Sequence, residues 1–330
     1  MLTKKQNLLE CIRGGNPDRY VNQWEAFAYV NGNPVIDRTL DEQGRQVDEW
    51  GVTWQVAGQP GRMPLHDMEH RVVKDIDDWK DYLTTIPKGC WDKPEIWEPL
   101  QEQAAKVDRN EQFVMVGVYP GMFERLHDLC EITETLMAFY DSPDEIHDIL
   151  KIITEVELEQ AEAICKYLKP DALVHHDDWG TAKSTFMKPE MFEEFFLEPY
   201  KTVYKYYKEH GVDVLIHHSD TYAATLVPYM IDMGIDIWEG CLLKPNDLPK
   251  LVDQYGGKIS FMGGLDSDAI DKPDWTPESV KASVYEALDF MGDRKKFFIP
   301  CLTQGLPFST FPGVLEEVSK CITQYEEEHK

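Results

Sequence analysis

The chain is poor in basic side chains. Its 330 residues include 33 Lys and Arg against 60 Asp and Glu, which gives a formal net charge of -27. A surface this acidic repels phosphate backbones and anionic lipid headgroups, so we expect no nucleic-acid partner and no binding to a membrane. The expected partner is neutral, cationic or a protein.

Long hydrophobic runs are also lacking. No apolar run approaches the roughly 20 residues that a membrane-spanning helix needs. Residues 1–7 (MLTKKQN) become polar too early for a signal peptide. We therefore expect a cytoplasmic protein.

Several common motifs are absent as well. The seven cysteines include no C-x-x-C pair, which disfavours a disulfide framework or a closed structural zinc knuckle and favours reduced, mostly buried thiols. Neither G-x-G-x-x-G nor G-x-x-x-x-G-K-[ST] occurs, which counts against the nucleotide-binding forms of an open doubly wound sheet.

The pattern that is present is a repeated alternation of short apolar runs and longer helical stretches. It predicts a parallel sheet and, with seven or eight repeats, a TIM (β/α)8 barrel occupying residues 1–330 as a single domain. An N-terminal helical extension precedes the barrel, and residues 41–70 predict a hairpin or lid over its mouth. An open doubly wound sheet is the alternative. The predicted strands cover residues 20–29, 112–118, 172–176, 212–216, 235–238, 259–262 and 297–299.

Three potential metal ligands each close a predicted strand: His217, Glu239 and Cys301. The carboxyl ends of barrel strands converge on one face, so these side chains could share one ion. One imidazole, one carboxylate and one thiolate suit Zn²⁺ and leave a position open for a substrate. In the alternative interpretation, His217 is a hydrogen-bonded rim residue, Glu239 a surface carboxylate and Cys301 a core thiol.

A second polar group, residues 175–180 (HHDDWG), follows another apolar run. Asp177 and Asp178 are candidate catalytic residues that could orient a substrate or donate a proton if burial raises a pKa. The alternative is a polar loop in which an Asp caps the next helix. Adjacent residues of a strand face opposite sides, so only one of His217 and His218 should reach the barrel centre.

Aromatic side chains crowd the predicted barrel mouth and favour a flat apolar ligand or a methylated cation. Ordinary packing is the alternative for each of them. The candidate substrate contacts are Tyr119, Phe123, Trp179, His218 and Phe308.

The order of motifs along nearly the whole chain resembles the uroporphyrinogen decarboxylase superfamily, and more closely its cobamide-dependent methyltransferases. These motifs are residues 13–19 (RGGNPDR), residues 186–192 (FMKPEMF) with Pro199 and Tyr200, and the strand ends at His217, Glu239 and Cys301. The resemblance implies a TIM barrel and a zinc site. Relatives usually carry H-x-C where this chain has His217, His218 and Ser219, so one thiolate is replaced. Residues 304–307 (QGLP) could equally occupy the family's C-G-x-P position, which leaves the third ligand open.

The segment 177–180 and the predicted lid are similar to the methyltransferase component of bacterial aryl O-demethylases. This resemblance implies transfer of a methyl group from an aryl methyl ether to the cobalt(I) of a corrinoid. The chain has no D-x-H-x-x-G corrinoid signature, so a partner protein would carry that cofactor.

Three alternatives remain. The first is a methylcobamide:thiol methyltransferase of the coenzyme M type. The second is uroporphyrinogen decarboxylase, which the lack of arginine in residues 22–27 disfavours. The third is a non-catalytic barrel that binds an aromatic compound or a tetrapyrrole.

Overall fold

The computed structural model describes residues 1–35, 39–56, 62–306 and 309–329. Its main feature is a parallel sheet of seven strands, each hydrogen-bonded to the next one in chain order. Three short strands between the first and second of these form a separate antiparallel sheet. The strands of the parallel sheet are β1 (Phe27–Asn31), β5 (Phe113–Val118), β6 (Ala172–His176), β7 (Val214–His218), β8 (Ile237–Cys241), β9 (Ser260–Leu265) and β10 (Phe298–Leu302).

Helices cover the outer face of this sheet. The longest one, α6, follows a Ser-Pro start at residues 142–143, and its apolar positions pack against the sheet and neighbouring helices. The helices are α1 (Lys4–Ile12), α2 (Trp79–Tyr82), α3 (Pro94–Ala105), α4 (Met122–Cys130), α5 (Ile132–Asp141), α6 (Pro143–Tyr167), α7 (Pro189–Phe192), α8 (Glu198–Glu209), α9 (Val227–Asp232), α10 (Leu248–Tyr255), α11 (Ser267–Ile270), α12 (Pro277–Met291) and α13 (Val314–Glu328). A π-helical turn (Glu193–Leu197) joins α7 to α8, and a 3-10 turn (Ala224–Leu226) precedes α9.

The sheet is curled so that its two ends share one inner core. Phe27 of β1 and Ile299 of β10 belong to the same buried cluster as the inward residues of the strands between them. The indole N–H of Trp24 also donates to the Gly305 carbonyl, at 2.9 Å, which ties the start of β1 to the segment after β10. The TIM-barrel fold is therefore confirmed, with seven of its strands in the described part of the chain.

The predicted hairpin is a three-stranded antiparallel sheet: β2 (Arg45–Val47), β3 (Thr53–Gln55) and β4 (Met63–Pro64). Asp48 anchors it. Its carboxylate accepts hydrogen bonds from the backbone N–H groups of Trp50 and Val52 and from the Trp54 indole, and it pairs with Arg125 of α4 at 2.6 Å. This buried ion pair fixes the small sheet over one side of the barrel.

Most strands of the parallel sheet run further than the sequence indicates. β7 and β8 each start two residues after the predicted run begins and continue at least two residues past its end. The polar residues that appear to follow the strands therefore lie within them, where each side chain faces either the barrel interior or the helices. In the described residues, no helix combines the length and apolar character required to cross a bilayer.

Candidate active site

Alternation along β7 decides which histidine reaches the barrel interior. Val214 and Ile216 belong to the inner core, whereas Leu215 packs in the layer between the sheet and the helices. His218 shares the parity of Val214 and Ile216, and it lines the cavity at the barrel mouth. His217 therefore faces the helical layer.

The contacts of His217 are those of a buried structural residue. Its Nε2–H donates to the Asp177 carbonyl at 3.2 Å, so its Nδ1 accepts from the Tyr204 hydroxyl at 2.8 Å. The ring stacks on Trp179, and burial lowers the pKa of His217 well below its usual value. Both ring nitrogens of His217 are thus engaged in hydrogen bonds, so the structure favours the alternative of a hydrogen-bonded residue over the predicted metal ligand.

Glu239 and Cys301 do face the interior, but the structure does not bring them into a ligand group with His217. Glu239 Oε2 accepts a hydrogen bond from Nδ1 of His218 at 2.5 Å. Cys301 is fully buried, and burial raises the pKa of its thiol well above the usual value, which favours a protonated core thiol. Glu239 therefore contacts His218, and Cys301 lies in the buried inner core of the barrel.

The donor atoms that do converge come from His176, Asp178 and His218. One ligand atom from each lies within 4.8 Å of the others. In the described ranges the only other such group, Asp67, Glu69 and His70, is largely exposed on the surface. The set of two imidazoles and one carboxylate at the end of β6 and β7 is thus the candidate metal centre.

Each imidazole of this centre is held by a carboxylate. Nδ1 of His176 hydrogen-bonds to Glu124 at 2.8 Å, as Nδ1 of His218 does to Glu239, and the two rings stack with their centroids 4.4 Å apart. No hydrogen bond to Nε2 of either ring is found among the described residues. Carboxylates that accept from the far nitrogen orient metal-binding histidines and raise their basicity. The residues present therefore fit a divalent cation.

Burial and a neighbouring carboxylate shift the pKa values of the three candidate ligands. Burial disfavours the charged imidazole of His176, yet the Glu124 carboxylate outweighs this effect and raises the pKa of His176 to about 10. Burial raises the pKa of Asp178 to about 6 and lowers that of His218. The Glu124 carboxylate thus favours positive charge at His176, whereas burial disfavours the charged forms of Asp178 and His218.

Asp177, a predicted catalytic residue, has its carboxylate fully engaged. It accepts from the backbone N–H groups of Phe123 and Glu124, both at 2.8 Å, and from the Trp179 indole and the Tyr200 hydroxyl. The carboxylate thereby satisfies the N-terminal N–H groups of α4. The hydrogen bonds of Asp177 place Glu124 beside His176, and the helix that Asp177 caps is the preceding α4 and not the next helix expected in the alternative interpretation.

Gly121 makes this arrangement possible. A Cβ atom at this position would lie 2.5 Å from the Cβ of Asp177 and 2.8 Å from the His176 carbonyl. Only glycine lets the N-terminus of α4 approach the end of β6 this closely.

The predicted substrate contacts fall into three groups. Tyr119 and His218 line the cavity. Phe123 and Trp179 are fully buried in the layer between sheet and helices, where they pack on neighbouring aromatic rings. Phe308 lies outside the described residues.

The cavity at the barrel mouth has a volume of about 730 Å³. His176 and His218 form part of its floor, and the small antiparallel sheet contributes Trp54, Met63 and Pro64 to a largely apolar side. A cavity of this size suits a small organic molecule.

The sequence comparison shows the family. A profile of the uroporphyrinogen decarboxylase (URO-D) family matches residues 95–325, and the chain belongs to that family. Among curated proteins, a search finds no significant match.

Among solved structures, the chain is similar to a methyltransferase from Methanosarcina mazei. The two share 16% sequence identity with a TM-score of 0.67, over 99% of this chain and 100% of the other. At this identity the likeness supports the barrel fold.

Proposed function

We propose that this protein is a metal-dependent methyltransferase that moves a methyl group from an aryl methyl ether to the cobalt(I) of a corrinoid carried by a partner protein. The observation that carries the proposal is the convergence of ligand atoms from His176, Asp178 and His218, two of which, His176 and His218, line a small-molecule cavity. Membership of the URO-D family and the likeness to a methyltransferase structure support it.

The proposed metal is zinc, held by His176, Asp178 and His218. Two imidazoles and one carboxylate are common ligands of Zn²⁺, and three protein ligands leave a position open for a substrate atom. When bound, the ion would supply Lewis acidity at the ether oxygen, stabilising the negative charge of a departing phenolate. Glu124 and Glu239 hold the two rings in the orientation that this requires.

In the proposed reaction the methyl C–O bond breaks, and its electron pair stays on the aryl oxygen. The electron pair of cobalt(I) forms the new bond to the methyl carbon, so the products are a phenolate and a methylated corrinoid. Tyr119, Trp54 and Leu306 line the cavity and would pack against the aromatic ring.

The chemical type of the candidate metal ligands also helps to choose between an ether methyl donor and the alternative in which a thiol is methylated. Sulfur substrates suit softer, thiolate-rich metal sites, whereas the converging donors here are nitrogen and oxygen. Cys301, a thiol of the inner core, is buried, and its raised pKa disfavours a thiolate. An oxygen donor of the methyl group is therefore favoured.

Uroporphyrinogen decarboxylation is the second candidate, because the family profile bears that name. A polycarboxylate substrate requires unpaired cations. Of the two arginines that line the cavity, Arg125 is paired with the buried Asp48, and the lining holds four acidic residues against these two arginines. The methyl-transfer proposal therefore accounts better for the charged residues that line the cavity.

The test combines purified protein, a reduced corrinoid carrier and a panel of methoxyarenes, with methanol and methylamines as other donors. Formation of the methylated corrinoid is followed by its absorbance, and uroporphyrinogen decarboxylation is assayed in parallel. We expect methyl transfer from at least one methoxyarene. Transfer from none of the donors, or decarboxylation instead, would refute the proposal.

The ligand assignment is tested with His218→Ala and the matched variant Cys301→Ala. We expect His218→Ala to lose bound zinc and methyl transfer together, because it removes one of three ligands. Cys301→Ala should keep its zinc, since the thiol is not a ligand. Zinc loss in Cys301→Ala but not in His218→Ala, measured by elemental analysis, would restore the set expected from the sequence.

A further inference from the structure

One wall of the cavity holds polar atoms that the protein leaves without partners. Within the described residues, five buried atoms of cavity-lining side chains have no hydrogen-bond partner, and one of them is the Tyr119 hydroxyl. We call the other four residues the polar wall; the atoms are Oε2 of Glu49, Nε2 of His66, Nδ1 of His127 and Oδ2 of Asp128. Asp128 is only 3% exposed. Buried polar atoms without partners are costly, and several on one cavity wall indicate a ligand that supplies them.

The cavity lining near the polar wall carries more acidic than basic side chains. Arg125 pairs with Asp48 at 2.6 Å, and the guanidinium of Arg62 lies over the Trp54 ring, 4.6 Å from its centroid. The other oxygen of Glu49 accepts from the amide of Asn33 at 2.9 Å. Four acidic residues outnumber the two arginines that line the cavity, so the lining disfavours a carboxylate substrate and presents hydrogen-bonding atoms.

The polar wall contains both donors and acceptors. Burial raises the pKa of Asp128 well above its usual value, which favours a neutral acid with an O–H to donate. Burial also lowers the pKa of His66 and lowers that of His127 to about 4, which favours neutral rings. A neutral imidazole has one nitrogen that accepts, and Nε2 of His66 is buried without a partner.

We propose that the polar wall binds a neutral hydroxyl group of the substrate. A hydroxyl both donates and accepts, so it can satisfy an acceptor such as Nε2 of His66 and a donor such as Asp128 at once. This inference rests on the proposed function and deepens it. The substrate is a methoxyarene whose ether oxygen lies at His176 and His218 and whose hydroxyl lies at the polar wall.

The test is calorimetric binding to the zinc-loaded protein, without corrinoid. Three probes share one ring and one methoxy group: para-methoxybenzyl alcohol, para-methylanisole and para-methoxybenzoate. We expect the alcohol to bind about tenfold or more tightly than the methyl compound, and the carboxylate to bind weakest, since leaving buried polar atoms unpaired costs about a factor of ten or more in affinity. Equal affinities, tightest binding of the carboxylate, or no binding of any probe would overturn the inference.

The matched variants are Asp128→Ala and Asp128→Asn. Asp128→Ala removes the donor, so the ratio of alcohol to methyl-compound affinity should fall toward one. Asp128→Asn keeps an N–H donor and nearly the same volume, so the preference should be restored. Circular dichroism and thermal unfolding of both variants separate misfolding from loss of the hydroxyl contact. A ratio unchanged in Asp128→Ala would contradict the assignment.

This experiment separates the two proposals. If the alcohol is preferred but no methoxyarene transfers its methyl group, the polar wall stands and the proposed reaction fails. If methyl transfer occurs without any hydroxyl preference, the reaction stands and the polar wall is refuted.

Discussion

The two histidines of the candidate centre are oriented by residues that are not candidate metal ligands themselves. Glu124 and Glu239 each accept from the Nδ1 of one ring, and Asp177 fixes the start of the helix that carries Glu124. Asp178 is held in turn, because its Oδ1 accepts from the backbone N–H of Asp220 at 3.0 Å. These hydrogen bonds therefore orient the candidate ligand atoms even without a bound metal ion.

Glu239→Gln tests this orienting role. Burial raises the pKa of Glu239 well above its usual value; the amide keeps the shape of this carboxyl group but cannot become a carboxylate when a cation binds beside it, so we expect zinc affinity to fall by about 10- to 100-fold. Competition against a fluorescent zinc chelator measures the change. Glu157→Gln is the control: it alters another buried carboxyl, one whose pKa is raised well above its usual value by burial. An unchanged affinity in Glu239→Gln, or an equal loss in the control, would contradict the role.

His127 makes stability depend on pH. Its pKa is lowered by burial from 6.5 to about 4, so below pH 6.5 the unfolded chain binds a proton that the folded chain does not. Its contribution is present above pH 6.5 and is lost as pH falls toward 4, at about 1.4 kcal/mol per pH unit for one proton. In urea unfolding between pH 7 and 5, His127→Gln should lose less stability than the wild-type protein. Identical pH slopes would argue against a neutral buried imidazole.

At the scale of secondary-structure elements, the end of β8 is shaped by a bulge. The register with β9 shifts between Glu239 and Cys241, and Gly240 between them has a φ of +87°. A Cβ on Gly240 would lie 2.9 Å from the backbone carbon of Ser219. Glu239 and His218 are direct partners in the ladder between β7 and β8, and the glycine after Glu239 lets the backbone approach Ser219, the residue that follows β7.

Gly240→Ala is therefore expected to disturb both stability and the site. Backbone strain of this kind costs about 1–3 kcal/mol, and the steric contact with β7 adds to it. Gly211→Ala is the matched control, since Gly211 also has a positive φ (+104°) but nothing within 4 Å of its Cβ position. Chemical denaturation should show the larger loss for Gly240→Ala, and only that variant should bind zinc more weakly. Equal effects of the two substitutions would mean that the bulge does not position Glu239.

The strands could be found in the sequence, but the direction of their last side chains required the correct strand ends. Counting from the inward Val214 and Ile216 points to His218, and counting from Ala172 and Val174 points to His176. Placing the end of β7 at Ile216 made His217 look like the first residue at the rim. Inward-facing and outward-facing side chains alternate along each strand. Continuing this alternation through the polar residues at the strand end identifies the two imidazoles that face the barrel interior.

At the scale of the whole molecule, the curled sheet and its covering sheet assemble residues that are far apart in sequence. The barrel architecture followed from the strand and helix alternation, and the hairpin followed from the Gly, Pro and charge content of residues 41–70 and the strand-like run within it. The partnership of Glu124 with His176 did not, because it depends on how closely α4 approaches β6 at Gly121. The polar wall likewise depends on the contact between the small sheet and α4, which local sequence patterns do not specify.

The most direct measurement is diffraction from crystals of the zinc-loaded protein at the zinc absorption edge. We expect one strong anomalous peak within bonding distance of His176, Asp178 and His218. A peak bound instead by His217 and Cys301, or no peak at the barrel mouth at full zinc occupancy in solution, would contradict the assignment.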